Sequence, residues 1–435
     1  MRDAGTVLAA IGILLVLFPG VGGRRQQPIA LAGLVVLLGA WVLLTLTLLP
    51  DSAAGSLRDL LAVPLGAVAG VVAVIICAGL LWLAARLVVA WPWIWFVGMA
   101  VALPIRLPIT IGGESAKLLI PLYAVIIVGI VAVALMRLTS DEVDVDSPAP
   151  LVDVLIGALA AFLVLSELWS VDSDEGAIKI VFFYIPFVLA YLLVIALWRR
   201  APALRILTTT TIAMAVPVAL LAVWQYAVRG IFWNDTLIQA NVYSRFYRVN
   251  SIFFDPNILG RYLVLAVVAC IALAWVSRDP RTLWLLAGAS ITLLAGLFVT
   301  FSRSSALMLM VAIAMLAWRA FGARRTVAVA AMLLVLFAGL SFATSKQIRR
   351  AATSADRLEQ VSEGRFELVR GGVEIWQDHP IRGAGLGSFA ELYSTELNTR
   401  EAIRTRVVIS HNAPVTVLSE GGIIAVVLLL AVAAA

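Results

Sequence analysis

Apolar runs of roughly twenty residues recur along nearly the whole chain, and no other feature limits its fold so tightly. A segment that crosses lipid must satisfy its backbone hydrogen bonds internally, which leaves helices or a closed barrel. The runs are continuous rather than alternating, so the barrel is excluded. The chain is therefore expected to be an all-α, polytopic integral membrane protein. Composition agrees: 62% of residues are hydrophobic and only 13% are charged, where soluble domains carry about 25% charged residues. Mean hydropathy is +1.03.

The runs fall at 6–22, 29–49, 61–84, 87–104, 118–136, 151–170, 178–198, 206–228, 257–277, 282–300, 304–318, 326–343 and 412–433. They predict about thirteen spans, within a range of about 12–14. The piece holding Trp91-Pro92-Trp93 and ending at Pro104 reads as a kinked or re-entrant helix. The first run lacks a convincing small-residue cleavage site and is read as a helix rather than a signal peptide. Cys77 and Cys270 lie inside apolar runs, so neither a disulfide nor a thiolate metal site is expected. Of 32 basic residues only Lys117, Lys179 and Lys346 are lysine, a bias that points to a GC-rich bacterial genome. The net charge of +6 is spread over short loops and gives no nucleic-acid signature.

Basic residues set the expected orientation. Arg24-Arg25, Arg86, Arg137, Arg199-Arg200-Arg205, Arg278-Arg281 and Arg319-Arg324-Arg325 follow every second span, which places those loops in the cytoplasm. The opposite loops, outside, are 50–60, 105–117, 171–177, 229–256, 301–303 and the long polar segment 344–411.

Four outer stretches carry chemistry. Arg248-Val249-Asn250-Ser251-Ile252-Phe253-Phe254-Asp255-Pro256-Asn257 leads into a span, with Asp255 as cap and Pro256 in the first turn. Arg245, Arg248 and Asn257 suit an anionic group, the bland alternative being an arginine that snorkels to the interface. Phe301-Ser302-Arg303-Ser304-Ser305 leaves almost no loop between two spans, so Arg303 is expected near membrane depth, facing a cavity and a partner. Serines at the start of the next helix, together with Arg303, favour phosphate; an outward-snorkelling turn arginine is the alternative.

Within 344–411, Phe366, Val369, Val373 and Trp376 predict an amphipathic helix on the membrane surface, bent at Gly371-Gly372. Gly383-Ala384-Gly385-Leu386-Gly387-Ser388-Phe389 lacks a preceding strand and the dinucleotide spacing, so it predicts a turn between two surface helices. The whole segment reads as a lid over an outward cavity. His411 stands at the water-facing end of the last span, suited to take a proton from a sugar hydroxyl. His379, in Asp378-His379-Pro380, suits a turn. For either imidazole, taken alone, a structural role is the commoner one. Two histidines without clustered carboxylates or thiolates argue against zinc. Glu420, nine positions after His411, falls on the opposite side of an ideal helix and is a poor partner for it.

The order of these pieces resembles the O-antigen ligase and polymerase family of bacterial envelope glycosyltransferases. Arg248-x-x-Ser251-x-Phe253-x-x-Pro256-Asn257 resembles its arginine-then-Pro-Asn signature, with Ser251 where glycine is usual. Ser302-Arg303 resembles its Ser-Arg at the next outer helix start. Gly364-Arg365, Trp376, His379-Pro380 and Gly383-x-Gly385-x-Gly387-x-Phe389 resemble its large outer loop. His411-Asn412 followed by Glu420-Gly421-Gly422 resembles its closing motif.

The resemblance implies a metal-independent, inverting transferase of the multi-span class that uses lipid-linked sugars, with no cofactor. Its donor would be a polyprenyl-diphosphate-linked glycan and its acceptor an envelope glycan, lipid or protein, reached within membrane lipids. By motif position Arg248 and Arg303 would hold the diphosphate and His411 would act as base. Arg245, Asn257, Ser302, Arg365, His379, Arg382, Asn412 and Glu420 would contact substrate. Residues 1–247 would form an N-terminal helical part and 248–435 the catalytic region, including the outer loop 344–411. A lipid-linked glycan transporter or flippase is the competing reading, and a non-catalytic scaffold a third. The polar material is one-sided, whereas transporters pair broken helices in both halves.

Overall fold

The computed structural model describes residues 1–18, 27–48, 64–111, 114–139, 149–232, 234–243, 246–322, 331–332, 365–396 and 413–435. The helices are α1 (Arg2–Leu17), α2 (Gln27–Thr47), α3 (Pro64–Ala90), α4 (Trp93–Ala102), α5 (Ile120–Thr139), α6 (Pro150–Leu165), α7 (Ser173–Lys179), α8 (Ile185–Leu197), α9 (Ala203–Val228), α10 (Asp235–Tyr243), α11 (Pro256–Val276), α12 (Pro280–Val299), α13 (Arg303–Phe321), α14 (Arg365–Asp378), α15 (Ser388–Glu396) and α16 (Ala413–Ala434). The strands β1 (Leu107–Ile111) and β2 (Glu114–Leu118) pair antiparallel, with Leu107 opposite Leu118, a small exception to the helical class.

Among the described residues ten helices are long and apolar enough to cross a membrane. Of the other predicted spans, the first is the 16-residue α1 and the fourth the ten-residue α4. At 1.5 Å per residue α4 covers about 15 Å, half a hydrocarbon core. The third span runs further than expected, to Ala90, so Arg86 lies inside α3 and not in a loop. Its guanidinium stacks over the Trp82 ring at 5.5 Å, which lets the helix continue through the charge. The span predicted at 326–343 lies outside the described residues, as do Arg24-Arg25 and Arg324-Arg325.

Two apolar cores organise the bundle. Ile13, Leu37, Trp95, Phe96, Ile126, Ile180 and Leu189 belong to the first, built from α1, α2, α4, α5 and the α7–α8 stretch. Ala219, Val249, Leu259, Leu263 and Leu293 belong to the second, from α9, α11, α12 and the loop before α11. Outward positions such as Val71, Val74 and Ile75 of α3 are exposed and apolar, as a helix solvated by lipid requires.

Between α7 and α8 the ladder widens into a π turn, Ile180–Tyr184, where the Ile185 N–H reaches back to the Ile180 carbonyl. Pro186 has no N–H to offer Phe182, so two carbonyls are released, at Val181 and Phe182. Trp41 Nε1 donates to the first at 2.9 Å and the Tyr123 hydroxyl to the second at 2.8 Å. Backbone groups freed inside the membrane are thus satisfied by neighbouring helices.

The amphipathic helix expected in the polar segment exists as α14, but its buried face differs from the predicted one. Leu368, Gly371, Gly372 and Ile375 are buried, while Val369, Val373 and Trp376 are half-buried. The glycines are contact surface: a Cβ on Gly372 would strike Val415 of α16 and lie 3.2 Å from Phe389. α14 packs on α16 and α15 through this face.

Candidate functional site

The first polar cluster forms where α11 and α13 begin. Asp255 caps α11, accepting from Asn257 N at 2.5 Å, and Pro256 follows as the first helical residue. Two amide side chains pin the loop ahead of it. Asn241 accepts from Arg248 N at 3.0 Å and donates to Arg248 O at 2.8 Å. Gln225, fully buried in α9, accepts from Ser251 N at 2.8 Å and donates to Ser251 O at 3.3 Å. Ser251 has a φ of +51°, in the left-handed region that favours glycine. Its hydroxyl donates to Val218 O at 2.8 Å and anchors that conformation.

The pinned loop presents Arg248. Its Nε donates to Thr300 O and its Nη2 to Asn257 Oδ1, both at 3.2 Å. Asn257 Oδ1 also accepts from Ser302 Oγ at 2.9 Å. Ser302 caps α13 in turn, accepting from Ser305 N at 3.3 Å, with the Ser304 and Ser305 hydroxyls at 3.2 and 2.8 Å. The two helix starts approach this closely because residue 260 is glycine; a Cβ there would strike the Ser305 hydroxyl. Arg303, the first residue of α13, is exposed and makes no hydrogen bond or ion pair among the described residues. The buried partner expected for it is not found among the described residues, where Arg303 is exposed.

An aromatic group borders the cluster. Phe301, at a φ of +50°, stacks on Phe246 with centroids 4.9 Å apart and touches Tyr226 and Phe298. Arg229 lies over Tyr226 at 4.5 Å and Tyr247 at 5.1 Å. Burial pushes the Tyr247 phenol above its ordinary pKa, and Arg229 offsets part of that shift.

The second cluster surrounds the glycine-rich turn, which is not a surface turn: residues 383–389 are all buried. Gly383, Gly385 and Gly387 have φ values of +71°, +99° and +97°. A Cβ on Gly385 would lie 2.6 Å from Ser170 Cα, and one on Gly387 would lie 2.5 Å from Gly176 N. The turn is wedged between α16 on one side and the α6–α7 junction on the other. The lid expectation is corrected for this part, because the glycines let backbone pack on backbone. Leu386 N donates to Ser166 Oγ at 3.1 Å, and the Ser388 and Ser170 hydroxyls are 2.9 Å apart.

The turn also opens α16. Gly422 has a non-helical φ of +63°. Ile423 N and Ile424 N bond to Pro380 O and Ile381 O at 3.0 and 3.3 Å. Ser419 O and Glu420 O accept from Ala384 N and Gly385 N, each at 2.9 Å. Residues 380–385 thus replace the helix's own partners on both sides of the break. The Glu420 carboxylate pairs with Lys179 Nζ at 2.8 Å, with side-chain exposures of 4% and 16%. The exposed Arg382 holds its guanidinium 5.7 Å from the Trp169 ring centre. His379 donates its backbone N–H to Trp376 O, and its buried Nδ1 has no hydrogen-bond partner among the described residues.

Arg248, Asn257 and Ser302 are thus brought together with Arg303 beside them, and His379, Arg382 and Glu420 are gathered at the turn. Arg245, His411 and Asn412 lie outside the described residues, as does the side chain of Arg365. Sequence reasoning missed Asn241, Gln225, Thr300 and Lys179. A glutamine or lysine inside an apolar run is itself a signal, since intramembrane polar groups need a named partner.

The fold and the two clusters define a multi-pass helical membrane protein with an open cationic site at paired helix starts. Residues 288–430 match the family model described as O-antigen ligase. The resemblance read from the motifs is thereby shown over that stretch, and it supports a membrane function of transferring or ligating a glycan. No curated protein and no solved structure matches the chain.

Proposed function

We propose that the protein is a membrane glycosyltransferase that transfers or polymerises a polyprenyl-diphosphate-linked glycan on the outer face of the cytoplasmic membrane of a bacterium. The observation that carries this reading is the convergence of Arg248, Asn257 and Ser302 from distant stretches beside the exposed Arg303, which has no partner among the described residues. The stretch's own carboxylate, Asp255, is turned to the α11 backbone. Two guanidinium groups and the free N–H groups of a helix start suit a diphosphate.

In the reaction the acceptor hydroxyl oxygen bonds to the anomeric carbon as the carbon–phosphate-oxygen bond breaks, which inverts that carbon. The leaving diphosphate keeps the electron pair, and Arg248 and Arg303 stabilise its growing charge without a metal being required. His411 takes the hydroxyl proton, a role carried by its motif position. Arg245, Ser302, Asn257, Arg365, His379, Arg382 and Asn412 are assigned to substrate contact, whereas Glu420, expected there by motif position, has its carboxylate paired with Lys179 and is assigned to holding the turn. The outer-face placement rests on the alternation of basic loops.

The test is glycan transfer from purified lipid-linked donor in membranes with matched protein levels. Arg303→Ala and His411→Ala should each lower transfer roughly 100-fold or more; wild-type transfer by both variants would overturn the site. Ligase and polymerase activity separate on whether donor alone, without another acceptor, yields longer chains. One observation favours transport instead, the broken helix α16, since transporters bind substrate at such breaks. Movement of labelled lipid-linked glycan across vesicles without glycosyl transfer would select that reading.

A further inference from the structure

We infer that Lys179 and Glu420 are positioning residues: their ion pair clamps the turn 380–388 into the break of α16 and so fixes where that helix begins for the transfer step. This inference rests on the transferase reading.

Glu420 acts in two directions at once. Its carbonyl accepts from Gly385 N and holds the turn, while its carboxylate reaches Lys179 on the other half of the chain. The pair spans 241 positions. Lys179 is set in place with equal care, as the last residue of α7 immediately before the π turn. That turn is fixed by Trp41 from α2 and Tyr123 from α5. The α6–α7 junction also holds the far side of the glycine turn, through Ser166 and Ser170. The ion pair therefore joins two segments that are each held in place by other elements.

A pair this buried is a poor source of stability, because two well-packed apolar side chains usually do as well. What an ion pair supplies, and an apolar contact does not, is one distance and one direction. Glu175 also lies near enough to interact with both partners. Lys179 thus offsets the charge of two carboxylates, and its loss removes that cation from both. Loss of Glu420 leaves Lys179 with Glu175. Lys179→Met should therefore be the more damaging change.

The experiment uses the full chain in membranes. Ser170→Cys with Ser388→Cys reports docking of the turn by thiol cross-linking, since those hydroxyls are 2.9 Å apart. Cys77 and Cys270, the free cysteines, are replaced in that background. Lys179→Met should reduce cross-linking severalfold and lower the transfer kcat about tenfold or more, with the donor KM within about twofold. Glu420→Gln should do so less strongly, and Lys179→Arg should restore most of both readouts. A merely structural pair would instead lower the amount of folded protein and leave kcat per folded molecule unchanged. Unchanged cross-linking in Lys179→Met, beside an active wild type, overturns the inference alone. A wild type that transfers no glycan overturns the transferase reading and this inference with it.

Discussion

The two polar clusters are built to opposite rules. At the starts of α11 and α13 the backbone is pinned by Asn241 and Gln225, yet the cluster leaves Arg303 exposed and without a partner among the described residues. At the glycine turn the N–H groups of residues 383–386 and the buried Glu420 carboxylate all find partners within the protein. In the proposed reading the first cluster keeps a cation for an anionic group, while at the second the N–H groups of the turn and the Glu420 carboxylate hold two halves of the chain together. A membrane protein needs both, because a charge left open at a helix mouth is useful only if the surrounding helices cannot shift to quench it.

The sharpest way to break this contrast is at the turn. Gly385→Ala would put a Cβ 2.6 Å from Ser170 Cα and 2.7 Å from Ser166 O at a φ of +99°. Backbone cannot step aside as a flexible side chain can, so the cost should reach about 3 kcal/mol or more. The expected outcome is loss of the monodisperse peak of folded protein in detergent. Normal accumulation and thermal stability of this variant would show the turn to be looser than its contacts require.

Arg248→Lys probes the open cluster and should have a smaller effect on folding. A single ammonium cannot reach Thr300 O and Asn257 Oδ1 in the fork geometry that the guanidinium uses. Stability should fall by about 1 kcal/mol, the worth of an ordinary hydrogen bond. Glycan transfer should fall at least about tenfold, a differential effect of about 1.4 kcal/mol on the transition state. Thermal stability measured alongside transfer separates the two. If unfolding shifts as far as in Gly385→Ala, the first cluster is structural too.

How much could be read in the sequence follows the same division. Asp255-Pro256 and Ser302-Arg303 were legible because capping chemistry is local: each residue's partner lies within three positions. The spans were legible because twenty apolar residues leave few options. Arg86 misled because a charge reads as a loop, whereas stacking on Trp82 one turn earlier keeps it in α3. The glycine run showed only that a turn was needed; whether it faced water or protein depended on Ser166, Ser170 and Gly176, more than 200 positions away. In the sequence Lys179 stands out only as one of three lysines, and Glu420 only through the closing motif and its spacing from His411. Nothing local joins 179 to 420.

The smallest expected effect falls on Ser251, where this chain departs from the glycine usual in the motif it resembles. Two terms oppose each other in Ser251→Gly. Relief of a non-glycine residue at a φ of +51° favours the variant by about 1 kcal/mol. Loss of the buried hydroxyl's bond to Val218 O, at 2.8 Å, disfavours it by a similar amount. The greater freedom of glycine in the unfolded chain adds a few tenths against it. The net change should lie within about 1 kcal/mol of zero, read as a thermal shift of a few degrees at most. Ser251→Val has no such balance, because it keeps the positive φ, adds β-branching and removes the donor, so it should destabilise by about 2 kcal/mol or more. If glycine and valine behaved alike, the hydroxyl and not the backbone would set this position, and the Gln225 clamp would have to hold the Arg248 loop without help from the left-handed turn.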